Sequence, residues 1–243
     1  MGELGQRKSS WFHSRPLFPR TTMGPAFLLA FPLLLALSTP CDACECKIQH
    51  PQTFYCMSDI VIIGNILEHG RDTALKRSYR INITQILKIP KKIPPITSVY
   101  TPKDWGSCGY EVRTSQQSQL LIAGYLRKGA LYFTRCHMVY FWYRLTDEQR
   151  LGFQELYKNG CKCQIQPCLL CWRHCPQPDR RECVWRQKDC NYRIWNGDQS
   201  LYSMCAPRPD GHCGWTRIDI LNYHRETTPP PPRQTTPEML YIM

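Results

Sequence analysis

Short β-branched runs punctuated by glycine dominate the apolar pattern between residues 59 and 136. Residues 59–67 (DIVIIGNIL) are almost continuously apolar, with Gly64 placed as a bulge. Residues 79–87 (YRINITQIL) alternate. Tyr79, Ile81 and Ile83 fall on one face and Arg80, Asn82 and Thr84 on the other, the period of a half-buried strand. Residues 98–100, 119–126 and 130–136 predict three further strands, the last two joined as a hairpin at Arg127-Lys128-Gly129. Five strands with glycine-marked bends predict a small closed barrel. The period then changes. Thr146-Asp147-Glu148-Gln149 has the form of a capping box, in which the Thr hydroxyl and the Gln amide satisfy the first free N–H groups of a helix. Leu151, Glu155 and Tyr157 continue that helix to a stop near Asn159-Gly160.

Ahead of the strands lies one long apolar stretch, residues 26–37 (AFLLAFPLLLAL). A bilayer span takes about 20 residues, so this run fits the core of a signal peptide instead. Arg7, Lys8, Arg15 and Arg20 precede it against Glu3 alone, which supplies a positive flank; Met23 offers an alternative start. Small residues at Cys41 and Ala43 predict cleavage between Ala43 and Cys44. A cut a few residues away, or a retained anchor, are the competing readings. No later stretch has the length of a membrane span.

The chain of 243 residues holds 15 cysteines and a net charge of +12. That cysteine use points to an oxidising compartment, hence a secreted, extracellular protein with disulfides, or to zinc modules. An odd count leaves one Cys to be removed, to stay free or to pair with another chain. Cleavage before Cys44 removes Cys41 and leaves an even number; it takes the charge from +12 to +10. Cysteines are sparse from 44 to 136 and dense from 161 to 213. Four segments are therefore expected: a signal peptide at 1–43, a barrel domain at 44–161, a disulfide-rich domain at 162–223, and a tail at 224–243. The tail carries four consecutive prolines and cannot build a core. The fold class expected is mainly β with short helices.

The predicted mature terminus reads Cys44-Glu45-Cys46-Lys47-Ile48-Gln49-His50-Pro51-Gln52, with Cys56 following. Tyr100-Thr101-Pro102 precedes Cys108-Gly109, Leu121-Ile122-Ala123-Gly124 precedes Cys136, and Gly160-Cys161-Lys162-Cys163 leads to Cys168. Glu182-Cys183-Val184-Trp185 and Cys213-Gly214-Trp215 close the series. Taken in order, these motifs resemble the tissue inhibitors of metalloproteinases, from Cys44 to about Trp215. The resemblance implies a netrin-like OB-fold barrel. It also implies a pairing of Cys44 with Cys108, Cys46 with Cys136, Cys56 with Cys161, Cys163 with Cys213, Cys168 with Cys175, and Cys183 with Cys205. Cys171 and Cys190 remain, and are expected to form a seventh bridge particular to this sequence.

The function implied is inhibition of matrix metalloproteinases and related zinc proteases, as a monomer in 1:1 complexes. The catalytic zinc of such an enzyme keeps one position open. The α-amine and carbonyl oxygen of a terminal Cys44 offer a bidentate chelate to that zinc, while its sulfur is held in a bridge. No cofactor of its own is expected. The contact ridge implied comprises Cys44, Glu45, Cys46 and Lys47 with Trp105, Gly106, Ser107 and Cys108. A competing reading has Cys-x-Cys merely stapling an edge strand. The sequence departs from the family at the residue after the first Cys, usually Thr or Ser and here Glu45. A carboxylate entering a mostly apolar pocket near the protease's own Glu meets desolvation and like-charge repulsion. Weakened or narrowed inhibition is therefore expected. The alternative is a non-inhibitory binding module of the same fold, acting on pro-enzyme, receptor or matrix through its C-terminal domain.

Asn82-Ile83-Thr84 is an N-glycosylation sequon. Arg71, Lys76, Arg77, Arg80, Lys88, Lys91, Lys92 and Lys103 form a candidate surface for heparan sulfate or extracellular matrix, or simply a solvated basic face. Cys168, Cys171 and Cys175 have a zinc-like spacing that an oxidising compartment disfavours. The seven histidines lack metal-ligand spacing, and neither a nucleophile elbow nor a phosphate loop is present. Catalysis and nucleic-acid binding are not expected.

Overall fold

The structure is a computed structural model that describes residues 44–90, 93–112, 118–168, 174–186, 195 and 197–227. The predicted signal segment, Cys41, Lys91, Lys92, Cys171, Cys190 and the tail beyond Thr227 lie outside the described residues, while residues 224–227 of the expected tail are helical.

A short helix, α1 (Pro51–Met57), leads into six strands: β1 (Ile60–His69), β2 (Lys76–Lys88), β3 (Ser98–Pro102), β4 (Leu120–Arg127), β5 (Ala130–Tyr132) and β6 (Met138–Phe141). Strand order is β1-β2-β3-β5-β4-β6, and β1 also pairs with β4. That last pairing closes a five-strand barrel, with β6 added along the free part of β4's outer edge. Within this sheet all pairings are antiparallel except β3 with β5, where Val99 faces Leu131 and Tyr100 faces Tyr132. Closure removes the exposed edges of an open sheet.

Burial explains the two apolar patterns. Ile60, Ile62, Tyr79, Ile81, Val99, Ile122, Leu131 and Phe133 fill the barrel. Val61, Ile63, Leu121 and Ala123 point the other way, into a second cluster with Tyr55, Met138, Leu151, Phe153, Tyr157 and Met204. β1 and β4 are thus covered on both faces, and a strand so placed reads as a continuous apolar run. On β2 only one face is covered, so Tyr79 and Ile81 are buried while Arg80 and Asn82 are exposed. Register shifts in β1 opposite β2, one between Ile63 and Gly64, form the bulge expected there. A Cβ on Gly64 would approach the Asn82 carbonyl oxygen to 2.7 Å.

Two elements differ from expectation. The run 130–136 is a strand only to Tyr132. The Thr134 N–H donates to His137 Nδ1 and the His137 N–H to the Thr134 carbonyl, which turns the chain into β6 without glycine or proline. The helical stretch after Thr146 is not uniform. The capping box is present, with both reciprocal bonds at Thr146 and Gln149. Helix α2 (Asp147–Leu151) then widens to a π turn over Gly152–Leu156 and tightens to a 3-10 turn over Tyr157–Gly160. The Tyr157 ring packs where a Cβ at residue 152 would stand, which ties the change of pitch to Gly152.

Beyond Cys161, β7 (Gln164–Cys168) pairs in parallel with β8 (Glu182–Arg186). Helix α3 (Asp198–Tyr202) leads into β9 (Ser203–Pro207), which pairs with β10 (Cys213–Arg217), and α4 (Ile220–Thr227) follows. Their small core is Cys163, Ile165, Cys183, Trp185 and Cys205. Among the described residues, no helix is long and apolar enough to cross a membrane.

Candidate functional site

Residues 44–50 pair with no strand, so the Cys-x-Cys segment does not staple a sheet edge. It is an irregular ridge held from below by sulfur. Cys44 is bonded to Cys108 and Cys46 to Cys136. The two bridges lie side by side: the Cys44 sulfur is 3.8 Å from that of Cys136, and the Cys136 sulfur 3.5 Å from that of Cys108. All four sulfurs lie within 4.8 Å of one another. As disulfides they carry no thiolate, so this quartet is not a metal cage. The Cys44 backbone remains the chemically open part of that residue.

The facing loop is built to receive the bridge. Asp104 organises it: its carboxylate accepts from the Ser107 N–H at 2.8 Å and its carbonyl from the Gly109 N–H at 3.0 Å. Bonds from the Ser107 hydroxyl and backbone hold that carboxyl below its usual range. Cys108 sits in the left-handed region at φ 61°, uncommon for a residue with a Cβ. Gly109 is needed behind it, because a Cβ there would collide with the Pro102 carbonyl oxygen. The Arg135 N–H donates to the Cys108 carbonyl at 2.9 Å, which ties this loop to the turn carrying Cys136. Trp105, Gly106 and Ser107 are exposed at the top of the loop, as are Glu45 and Lys47 on the facing segment. The Arg135 guanidinium lies over the Trp105 ring, 3.1 Å from its centroid.

The ridge's other end is fixed by His50, Pro51 and Gln52, whose part the periodicity of the sequence does not announce. His50 Nδ1 accepts from the Gln52 N–H at 3.1 Å and so caps α1, with Pro51 at the first helical position. Nε2 donates to the Gln199 carbonyl at 2.9 Å, which fixes the tautomer. Burial among Tyr157, Trp185 and Trp215 pushes this imidazole down to about 4. Gln52 is fully engaged with Gly160 and Cys205. Trp195 Nε1 donates to the Gln49 carbonyl at 2.8 Å, and its ring packs on Phe54 and Tyr140. A cleft of about 250 Å³ opens there between Ile48, Met138, Tyr140 and Trp195. Arg135 and Trp195 are thus supporting residues that sequence reasoning did not single out, while His50 and Gln52 entered it only as part of the terminal motif.

Among the described residues, four more bridges join Cys56 to Cys161, Cys163 to Cys213, Cys168 to Cys175 and Cys183 to Cys205. Cys168 and Cys175, two of the three residues with the zinc-like spacing disfavoured above, are spent on each other. Asn82 is exposed on β2. Four of the six described candidate basic residues have polar partners, and Lys76 Nζ donates to the Tyr132 hydroxyl at 3.0 Å. Lys88 Nζ donates to the Tyr55 and Cys56 carbonyls at the end of α1, Arg80 pairs with Glu68, and Arg77 pairs with Glu111.

Comparison with known proteins gives the same outline. The family model described as tissue inhibitor of metalloproteinase matches residues 42–215. Metalloproteinase inhibitor 3 of Xenopus laevis is 30% identical over 185 residues, 74% of this chain and 84% of that protein. Metalloproteinase inhibitor 2 of Homo sapiens is 31% identical over 195 residues, 76% of this chain and 86% of that protein. Metalloproteinase inhibitor 3 of Scyliorhinus torazame is 31% identical over 200 residues, 77% of this chain and 90% of that protein. With its barrel, the six bridges among its described residues and this match across most of its length, the chain belongs to the tissue inhibitor of metalloproteinase family.

Proposed function

We propose that the protein, secreted and cleaved before Cys44, is an inhibitor of zinc metalloendopeptidases, matrix metalloproteinases among them, and not itself an enzyme. The names of its relatives, metalloproteinase inhibitors 2 and 3, support the class of target. The observation that carries the mechanism is the sulfur of Cys44. It is bonded to Cys108, so a free terminal Cys44 presents only its α-amine and carbonyl oxygen. These two atoms form a five-membered chelate with a metal, and the zinc of the target enzyme has the open position to take it. Two adjacent bridges hold the segment in place before binding, which lowers the ordering cost on association. The amine binds metal only when neutral, so affinity falls as pH drops below its reference pKa of about 7.7–8.0.

The test is a proteinase panel titrated with the mature protein and with a version carrying one alanine ahead of Cys44. The extended protein should lose inhibition because its Cys44 nitrogen is an amide. Equal inhibition by both forms overturns the chelate. The second reading, a non-inhibitory module that binds pro-enzyme, receptor or matrix, is favoured by Glu45, whose exposed carboxylate occupies the position next to the chelating residue. Sequencing of the secreted chain separates the two: a mature start before Cys44 leaves only the second.

A further inference from the structure

The side chain of Trp105 stands 70% exposed in the loop bonded to Cys44, an unusual place for the largest apolar residue. It is held by two backbone bonds of its loop, Cys108 N–H to the Trp105 carbonyl at 3.0 Å and Gly109 N–H to the Asp104 carbonyl. One face of the indole is covered by the Arg135 guanidinium. Arg135 is only half-buried, and among the described residues no carboxylate lies within ion-pair reach of it. Among the described residues its charge-stabilising neighbour is therefore the ring, which meets the flat face of the guanidinium. The N–H groups around the edge of the plane have no ion-pair partner among the described residues, and their fork matches a carboxylate. Trp and Arg are also the residues that most often anchor protein interfaces.

We propose that the Trp105–Arg135 stack is a receiving site for a carboxylate of the target proteinase, an Asp or Glu on the rim of its cleft, and that this pair sets which proteinases the ridge accepts. The proposal rests on the inhibitory reading above and deepens it. Trp105 fixes the plane of Arg135 and buries its apolar body against the partner. Arg135 supplies the two-pronged bond. Glu45 and Lys47, which also have no ion-pair partner among the described residues, add one charge of each sign to the ridge, so the surface discriminates by a pattern of charge as well as by shape.

The experiment measures inhibition constants for the mature protein, its Ala-extended form, and the variants Trp105→Ala, Trp105→Phe, Arg135→Ala and Arg135→Lys, with the double Ala variant. Disulfide mapping confirms that each variant folds. On a proteinase that the parent inhibits, either Ala variant should weaken inhibition about ten-fold or more. The double variant should be little worse than either single, because the two act as one site. Arg135→Lys should resemble Arg135→Ala, since it keeps the charge but loses the planar fork, while Trp105→Phe keeps most of the affinity. The salt dependence of inhibition should be smaller for Arg135→Ala than for the parent. Constants within two-fold of the parent, full additivity, or an unaltered salt dependence overturn the proposal. A parent protein that inhibits nothing on the panel, with or without the extra alanine, overturns the inhibitory reading and this proposal with it.

Discussion

Gln52 grips Cys205 on both sides of one residue: its side-chain oxygen accepts from the Cys205 N–H at 2.8 Å and its amide donates to the Cys205 carbonyl at 2.7 Å. The same amide also reaches the Gly160 carbonyl at 3.1 Å. Both residues are buried, so the pair imitates a strand partner for β9 and anchors the helix next to the ridge onto it. Replacing Gln52 by Ala strands a donor and two acceptors away from water. We expect a loss of about 2–5 kcal/mol, read by guanidinium denaturation with disulfides intact. A change under about 0.5 kcal/mol contradicts this account.

His50 makes stability depend on pH. Its folded value of about 4 lies below the ordinary 6.5, so the unfolded chain binds the extra proton first. The contribution is fully present above pH 6.5 and is lost as pH falls towards 4, on the order of 3 kcal/mol in all. Denaturation midpoints measured from pH 7.5 to 4 should fall steeply for the parent and less steeply for His50→Gln. Parallel curves sink the idea.

Glu45→Thr should tighten inhibition about ten-fold or more on proteinases with an apolar pocket, because a desolvated carboxylate is removed. The comparison is between inhibition constants of the two mature proteins. Tight and equal constants remove Glu45 from consideration.

Gly109→Ala should destabilise the protein by about 2 kcal/mol or more and loosen the loop bearing Trp105, because the added methyl meets the Pro102 and Asp104 carbonyls. Thermal melting with disulfide mapping checks it.

Asn82, exposed on the uncovered face of β2, should carry an N-glycan in secreted material. Mass spectrometry of the parent against Asn82→Gln should show one glycan fewer in the variant. Identical masses apart from the substitution refute it.

The barrel was legible because burial writes itself into side-chain type. Ile60 to Ile63 form an unbroken apolar run because both faces of β1 are covered, and Tyr79 to Thr84 alternate because one face of β2 is not. The reversal at Thr134–His137 was illegible, since its bonds come from a Thr and a His with no glycine or proline to mark it. The break in helix pitch at Gly152 depends on a ring five residues on, which local propensity does not see. At the ridge, periodicity says nothing about which cysteine meets which; only the resemblance to a family carried that. Arg135 left no signal at all, because a lone cation in a turn looks like any solvated charge.

The paired bridges under the ridge also bear on how the protein is made. With four sulfurs inside 4.8 Å, exchanging partners between Cys44 and Cys46 moves the chain little, so the crossed isomer is close in shape to the native one. Intact mass does not distinguish the two. Glu45, the residue that sets this sequence apart, provides the means: an endoproteinase that cuts after glutamate separates Cys44 from Cys46, and the partner of each can then be read from its own peptide.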